Sequence, residues 1–239
     1  MIALRSLLFN CLFFAYTAWT ALRLTPRLMF GDADIKPAVK RWAAGVLWLL
    51  DHVVGITYEL RGVEHIPEGG VLLAAKHQSA WDTMMFHLFV PHSVYVTKQE
   101  VISIPLYGAV AKGIGSISID RQGGGKALKG LIRDCRAAID SGHQVIIFPE
   151  GTRTAPGASL PYQPGVAAVY KQIDAPVVPV ALNSGLFWGR RSFLKQPGRI
   201  IVEFLPAIEP GLDRKLFLSQ LEQRIEAATA ALIAEAANL

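Results

Sequence analysis

Only two cysteines occur in the 239 residues, Cys11 and Cys135, far apart and in unlike settings. That supports neither a disulfide framework nor a metal-binding cluster, and a reducing, cytosolic setting is the default. Charge is sparse as well: 18% of residues are charged against 51% apolar, a balance that points toward contact with lipid or an apolar ligand. No serine sits in a G-x-S-x-G elbow, so the nucleophile of an α/β-hydrolase is unsupported. "GGGK" lacks the earlier Gly and the following Ser/Thr of a P-loop, "GIGSIS" lacks the final Gly of the dinucleotide fingerprint, and no H-E-x-x-H occurs. Acyl-serine, nucleotide and zinc-hydrolase chemistries thus lose their usual signatures. Lys and Arg are scattered rather than banked, so the formal net charge of +5 favours phospholipid surfaces, phosphorylated substrates or acidic carriers over nucleic acid.

What the chain does have begins at its amino terminus. Residues 6–22, "SLLFNCLFFAYTAWTAL", are apolar and aromatic between Arg5 and Arg23. Three readings fit: a short or tilted membrane helix, a helix lying in the interface, and a cleaved signal. A second segment, Lys36 to Val54, sets Lys36, Lys40 and Arg41 ahead of Trp42, Val46, Leu49 and Leu50 at helical spacing. It suits a helix at headgroup level or an ordinary core helix. The stretch "TPRLMFGDADI" reads as the loop between the two. The expected organisation is a membrane-associated helical segment over residues 1–54 and an α/β domain over 55–239. That domain is expected to hold a mixed central sheet of about seven strands flanked by helices, because β-rich and helical runs alternate. The strands are expected at 56–61, 71–75, 93–97, 116–119, 145–148, 177–182 and 199–204, and helices at 81–89, 126–140, 166–172 and 213–237. In the last of these Leu216, Leu221, Ile225 and Leu232 form the apolar stripe.

Polar clusters at the ends of buried strands are where an α/β protein tends to place its chemistry. "KHQSAWDT" follows the apolar run "VLLAA". A helix starting near Ser79 would put Asp82 about one turn in, able to reach back to His77, fix its tautomer and leave the other ring nitrogen as a base. Such a dyad suits activation of a substrate hydroxyl; the same residues also fit a histidine bonding its own turn beside a solvated aspartate. "VIIFPEGTRT" runs from a strand into Gly151 and Arg153, a close-approach turn with a planar cation matched to phosphate. Arg153 fits a structural pair with Glu150 equally well. Asp120 and Arg121 end a further strand, and Lys98 another.

These blocks resemble those of the glycerolipid acyltransferase family, which includes bacterial 1-acylglycerol-3-phosphate acyltransferases. The H-x4-D block is "HQSAWD", G-x-x-F-I-D-R appears as "GSISIDR", F-P-E-G-T-R is intact from Phe148 to Arg153, and the V-P-V strand is "VVPVAL" with Pro179. The resemblance implies His77 as catalytic base with Asp82 as its partner. It implies Arg121, Glu150, Gly151, Thr152 and Arg153 around the glycerol phosphate, with Lys98 a further phosphate ligand. It also implies transfer of an acyl group from acyl-CoA or acyl carrier protein to the sn-2 hydroxyl of lysophosphatidate, with no metal or organic cofactor, at the cytoplasmic face of the inner membrane. Two departures stand out. Lys76 replaces the Asn of many members, which bears on how the turn is braced, and Ser118 replaces an aromatic, which bears on the acceptor pocket. The second motivates other acceptors: glycerol 3-phosphate, a lyso-ornithine lipid or another lysophospholipid. A non-catalytic lipid-binding protein and an exported hydrolase are the readings from other classes.

Overall fold

A computed structural model describes residues 1–30, 34–104 and 106–238, with the backbone alone at 29 and 30. Its centre is a seven-stranded sheet built from β1 (Ile56–Arg61), β2 (Val71–Ala75), β3 (Ser93–Lys98), β4 (Ile117–Ile119), β5 (Gln144–Ile147), β6 (Val177–Leu182) and β7 (Gly198–Phe204), in the order β1-β7-β6-β2-β5-β3-β4. The run β6-β2-β5-β3-β4 is parallel, and β7, antiparallel to β6, carries β1 parallel to itself. All seven expected strands are present, within two residues at each end. The mixed α/β architecture is as expected.

β2 explains why its sequence is an unbroken apolar run. Val71, Leu73 and Ala75 pack into one core, and Leu72 and Ala74 into the other, so both faces are buried. The first core is closed by α1 (Ile2–Phe30), α2 (Lys36–Leu49) and α3 (Asp82–Phe89). α6 (Gly124–Asp140), α7 (Pro164–Tyr170) and α8 (Arg214–Ala237) close the second. Two short helices not anticipated from sequence, α4 (Gln99–Ile102) and α5 (Tyr107–Gly113), link β3 to β4. Asp213 caps α8 by accepting from the Lys215 and Leu216 N–H groups at 2.9 and 3.0 Å. Leu216 itself is 44% exposed, and Phe217 takes its expected place in the core beside Leu221 and Ile225.

The amino-terminal helix differs from expectation in length. α1 continues through the predicted loop to Phe30, with Pro26 inside it; the Thr25 hydroxyl donates to the Ala21 carbonyl at 2.9 Å, next to the backbone bond that Pro26 cannot form. α1 and α2 cross closely because Gly45 lies under the Tyr16 ring, where a Cβ would stand 2.5 Å from the phenol oxygen. Trp42 Nε1 donates to Thr17 Oγ1 at 3.1 Å and Tyr16 OH to the Arg41 carbonyl at 3.2 Å. Phe9, fully buried, joins Val46, Leu49 and Leu50 of the second segment in the same core as β2 and α3.

Candidate active site

The carboxyl ends of the parallel strands bring the candidate residues together, the position in an open α/β sheet where ligands bind. β2 ends at Ala75 and the chain turns through Lys76, His77, Gln78 and Ser79 into α3, whose first residue is Asp82. Asp82 is fully buried and its two oxygens have separate tasks. Oδ2 accepts from His77 Nδ1 at 3.0 Å and from the Gln78 and Ser79 N–H groups at 2.8 Å each, while Oδ1 accepts from Ser184 Oγ at 2.6 Å. A carboxylate offers no proton, so Nδ1 carries the hydrogen and Nε2 is left with its lone pair. The His77 ring stacks on Phe148, centroids 4.0 Å apart, and lines a cavity of about 610 Å³. Ser79 Oγ accepts from the Trp81 N–H at 3.1 Å at the entrance to α3.

The F-P-E-G-T-R turn holds this histidine from its other side. Glu150 Oε2 accepts from the His77 N–H at 3.0 Å, and the His77 carbonyl accepts from the Thr154 N–H at 2.9 Å. Glu150 was expected beside the glycerol phosphate; instead its carboxylate is fully buried under the turn, absent from the cavity wall, and paired with Lys76. The physical reason is charge: an anion beside a phosphate repels it, whereas beneath the turn it meets a cation and two hydrogen-bond donors. Lys76 Nζ lies 2.7 Å from Glu150 Oε1 and 2.8 Å from Glu226 Oε1 on α8, and Tyr162 OH donates to Glu226 at 2.9 Å. The Lys76 departure is therefore a brace between the turn and the carboxy-terminal helix. The structural Arg153–Glu150 pair considered from sequence does not form among the described residues; the partner of Glu150 is Lys76.

Lys98, Arg121, Gly151, Thr152 and Arg153 all line the cavity. Gly151 is required twice over. Its φ is +70°, and a Cβ there would stand 2.6 Å from Arg121 Nη1, which itself donates to the Gly151 carbonyl at 2.7 Å. Ser118 is exposed on the edge strand β4 and stays off the cavity wall, because Ile117 and Ile119 take the inward face of the strand. Its hydroxyl cannot repolarise the pocket, and the motive for another acceptor falls with it.

The cavity is also walled by Val110, Ala111, Ile114, Leu128 and Leu131, and by His87 and Tyr95. Burial, reinforced by the charges of Lys40 and Lys36, holds the His87 pKa down at about 4, and burial raises the Tyr95 phenol well above its ordinary value. Both are neutral at pH 7 and add no charge to the wall. A lining that combines cations, apolar side chains and a base fits an amphiphile with an anionic head. Three contributors escaped the sequence reading: Ser184, which holds Asp82, and Arg190 and Arg191, which also line the cavity. The signal for Ser184 was available, since Asn183–Ser184 follows the apolar strand "VVPVAL" as Lys76–His77 follows "VLLAA".

A family model described as Acyltransferase matches residues 57–183. The sequence is 34% identical to the 1-acyl-sn-glycerol-3-phosphate acyltransferase of Pseudomonas aeruginosa, over 98% of this chain and 91% of that one. It is 32% identical to the enzyme of the same description from Limnanthes alba, over 68% of this chain and 57% of the other. In fold it is similar to the crystal structure of the 1-acyl-sn-glycerophosphate (LPA) acyltransferase PlsC from Thermotoga maritima, with a TM-score of 0.77 at 20% identity and 98% of each chain covered.

Proposed function

This chain belongs to the acyltransferase family, and we propose that it transfers a fatty acyl group from an acyl thioester to the sn-2 hydroxyl of 1-acyl-sn-glycerol 3-phosphate, giving phosphatidic acid. The observation that carries the reading is the His77–Asp82 pair, at 3.0 Å, on the wall of a cavity lined by both cations and apolar side chains. His77 Nε2 takes the hydroxyl proton as that oxygen attacks the thioester carbonyl, and the resulting imidazolium is stabilised by the Asp82 carboxylate. Collapse of the tetrahedral intermediate breaks the C–S bond, and the departing thiolate receives the proton from His77. Ser184 and the two turn N–H groups keep Asp82 in place, so the base is oriented before substrate arrives. Arg121, Arg153 and Lys98 hold the acceptor phosphate, with Gly151 and Thr152 shaping the turn that carries Arg153. The acyl chain of a substrate lies along the Val110–Ile114 wall.

Membrane docking is part of the same reading. α1 is long and apolar enough to cross a bilayer, yet one side of it is packed on the domain: Phe9 and Phe13 meet the Trp188 ring edge-on at 5.5 and 5.8 Å. An upright span would drag Trp188 and α2 into hydrocarbon, so the interfacial orientation is favoured, with Leu4, Phe14 and Leu22, each more than 60% exposed, toward lipid. Removal of residues 1–22 as a signal would strip Phe9 from the core, which argues against export. Acyl-CoA and acyl carrier protein are both suitable donors, at the cytoplasmic face where such thioesters are made.

The test is a labelled acyl-transfer assay on the purified, detergent-solubilised chain. It offers lysophosphatidate, glycerol 3-phosphate and other lysophospholipids, each with both donor types. Lysophosphatidate is expected to be the preferred acceptor, and His77→Ala to abolish transfer with an unchanged melting temperature. Near-normal turnover by that variant would refute the assignment of the base; preference for another acceptor would refute the substrate.

A further inference from the structure

The cavity wall carries five permanent cations, Lys98, Arg121, Arg153, Arg190 and Arg191, against a single carboxylate, Asp120. None of them takes part in an ion pair among the described residues, where Arg61 and Arg199, by contrast, are paired with glutamates. The phosphate monoester of one lysophosphatidate carries about −1.5 to −2 at pH 7, as any such group does. Together with Asp120 it leaves about two of the five cations for a second anion.

The topology divides the cations about the base. His77 follows β2; Arg153, Lys98 and Arg121 follow β5, β3 and β4 on one side, whereas Arg190 and Arg191 follow β6 on the other. Within the turn after β5 the division recurs: Arg121 bonds the Gly151 carbonyl at one end, and Arg190 Nη1 donates to the Arg153 carbonyl at 3.2 Å at the other. The segment that presents Arg190 and Arg191 is fastened on both flanks. Ser184 is bound to Asp82; beyond the arginines the Lys195 N–H donates to Ser6 Oγ at 2.9 Å, and the buried Lys195 ammonium donates to the Ser192 and Phe193 carbonyls at 2.9 and 3.0 Å. Arg191 adopts φ +57°, a left-handed conformation rare for a residue with a long side chain and found where surroundings over-determine it. The backbone that presents the two arginines is thus fixed beside the cavity they line, and both side chains are exposed to an incoming ligand.

We propose that Arg190 and Arg191 form a second anion subsite that binds the phosphate at the end of the donor's pantetheine arm, part of a diphosphate in a coenzyme A thioester and of a phosphodiester in an acyl carrier protein. The assignment rests on the acyl-transfer reading and adds the place of the second substrate: the acceptor phosphate lies on the β5–β3–β4 side of His77, the donor phosphate on the β6 side, and the two reacting groups meet at the base between them.

The experiment compares Arg191→Gln, which leaves the Arg190–Arg153 bond intact, and the Arg190→Gln/Arg191→Gln pair with the wild type, using acyl-CoA, acyl carrier protein and an acyl-pantetheine that lacks phosphate. Loss of one or two charge-assisted hydrogen bonds should lower kcat/KM for both phosphate-bearing donors roughly 10- to 100-fold. The KM for lysophosphatidate and turnover of acyl-pantetheine should stay within about threefold of wild type, and restoring Lys at both positions should recover part of the loss. A raised lysophosphatidate KM with unchanged donor kinetics, an equal loss with acyl-pantetheine, or a loss confined to the carrier protein would each overturn the assignment. No transfer by the wild type from any donor would instead overturn the acyl-transfer reading on which it depends.

Discussion

Replacing Lys76 by Met keeps the side-chain volume and deletes one charge from the brace beneath the active-site turn. Lys76 is 1% exposed and Glu150 0%, so the variant strands a carboxylate out of water with only the His77 N–H and the Thr154 hydroxyl to answer it. Breaking a buried pair on one side costs about 3–5 kcal/mol. For a chain of 239 residues that is a fall of roughly 6–20 °C in Tm. Glu226, 25% exposed and still bonded to Tyr162, adds little to this, because water replaces its lost partner. Glu150→Gln placed on top of Lys76→Met removes the stranded charge while an amide oxygen still accepts from the His77 N–H. The double variant should therefore recover at least half the lost stability, a coupling of about 2–3 kcal/mol. Thermal melts of the wild type, both single variants and the double variant in one detergent measure it. Losses that simply add would show that Lys76 does not hold Glu150 as a buried charge, and the account of the brace would fail.

Other outcomes follow from the same geometry. Asp82→Asn keeps the shape but permits the wrong tautomer of His77, and kcat should fall on the order of 10³- to 10⁴-fold, by analogy with the Ser-His-Asp triad; single-turnover assays check it. Arg121→Gln should raise the KM for lysophosphatidate about tenfold and leave the donor KM unchanged, a split that steady-state kinetics resolves. Because the folded pKa of His87 is about 4, below its ordinary 6.5, the unfolded chain takes up the proton first as pH falls; the stability from keeping it neutral is complete above pH 6.5 and is lost on descending toward pH 4. By pH 4.5 that loss is about 2–3 kcal/mol, which His87→Asn should not show; parallel urea midpoints for the two proteins across this range would refute the assignment. Phe9→Ala should cost about 3–5 kcal/mol in a melt, since a fully buried ring leaves a cavity against Trp188; a change below 1 kcal/mol would mean that α1 is not docked.

The sheet was readable because its strands announce themselves chemically. "VLLAA" and "VVPVAL" are buried on both faces and so are continuous apolar runs between turns. The dyad was readable because His77 and Asp82 are five residues apart, within one turn and one helix start. Contacts between distant segments were less visible. Lys76–Glu226 joins residues 150 apart and Ser184–Asp82 residues 102 apart, and nothing local in either sequence names the partner. Glu150 was misplaced for the same reason: its neighbours Gly151 and Arg153 face the cavity, while its own direction is decided by a lysine in the turn after another strand. α1 ran on through Pro26 because local turn signals were outweighed by packing of Leu24 and Leu28 against Ile35 and Ile114.

The segment from Ser184 to Lys195 has its near end on Asp82, the partner of the His77 imidazole, and its far end on the first helix. Anchor and chemistry are in that sense one mechanical part. A shortened form made without the first helix for easier purification would release Trp188 and Lys195 from their seats and slacken the hold on Asp82, so such a protein would be soluble at the expense of its base.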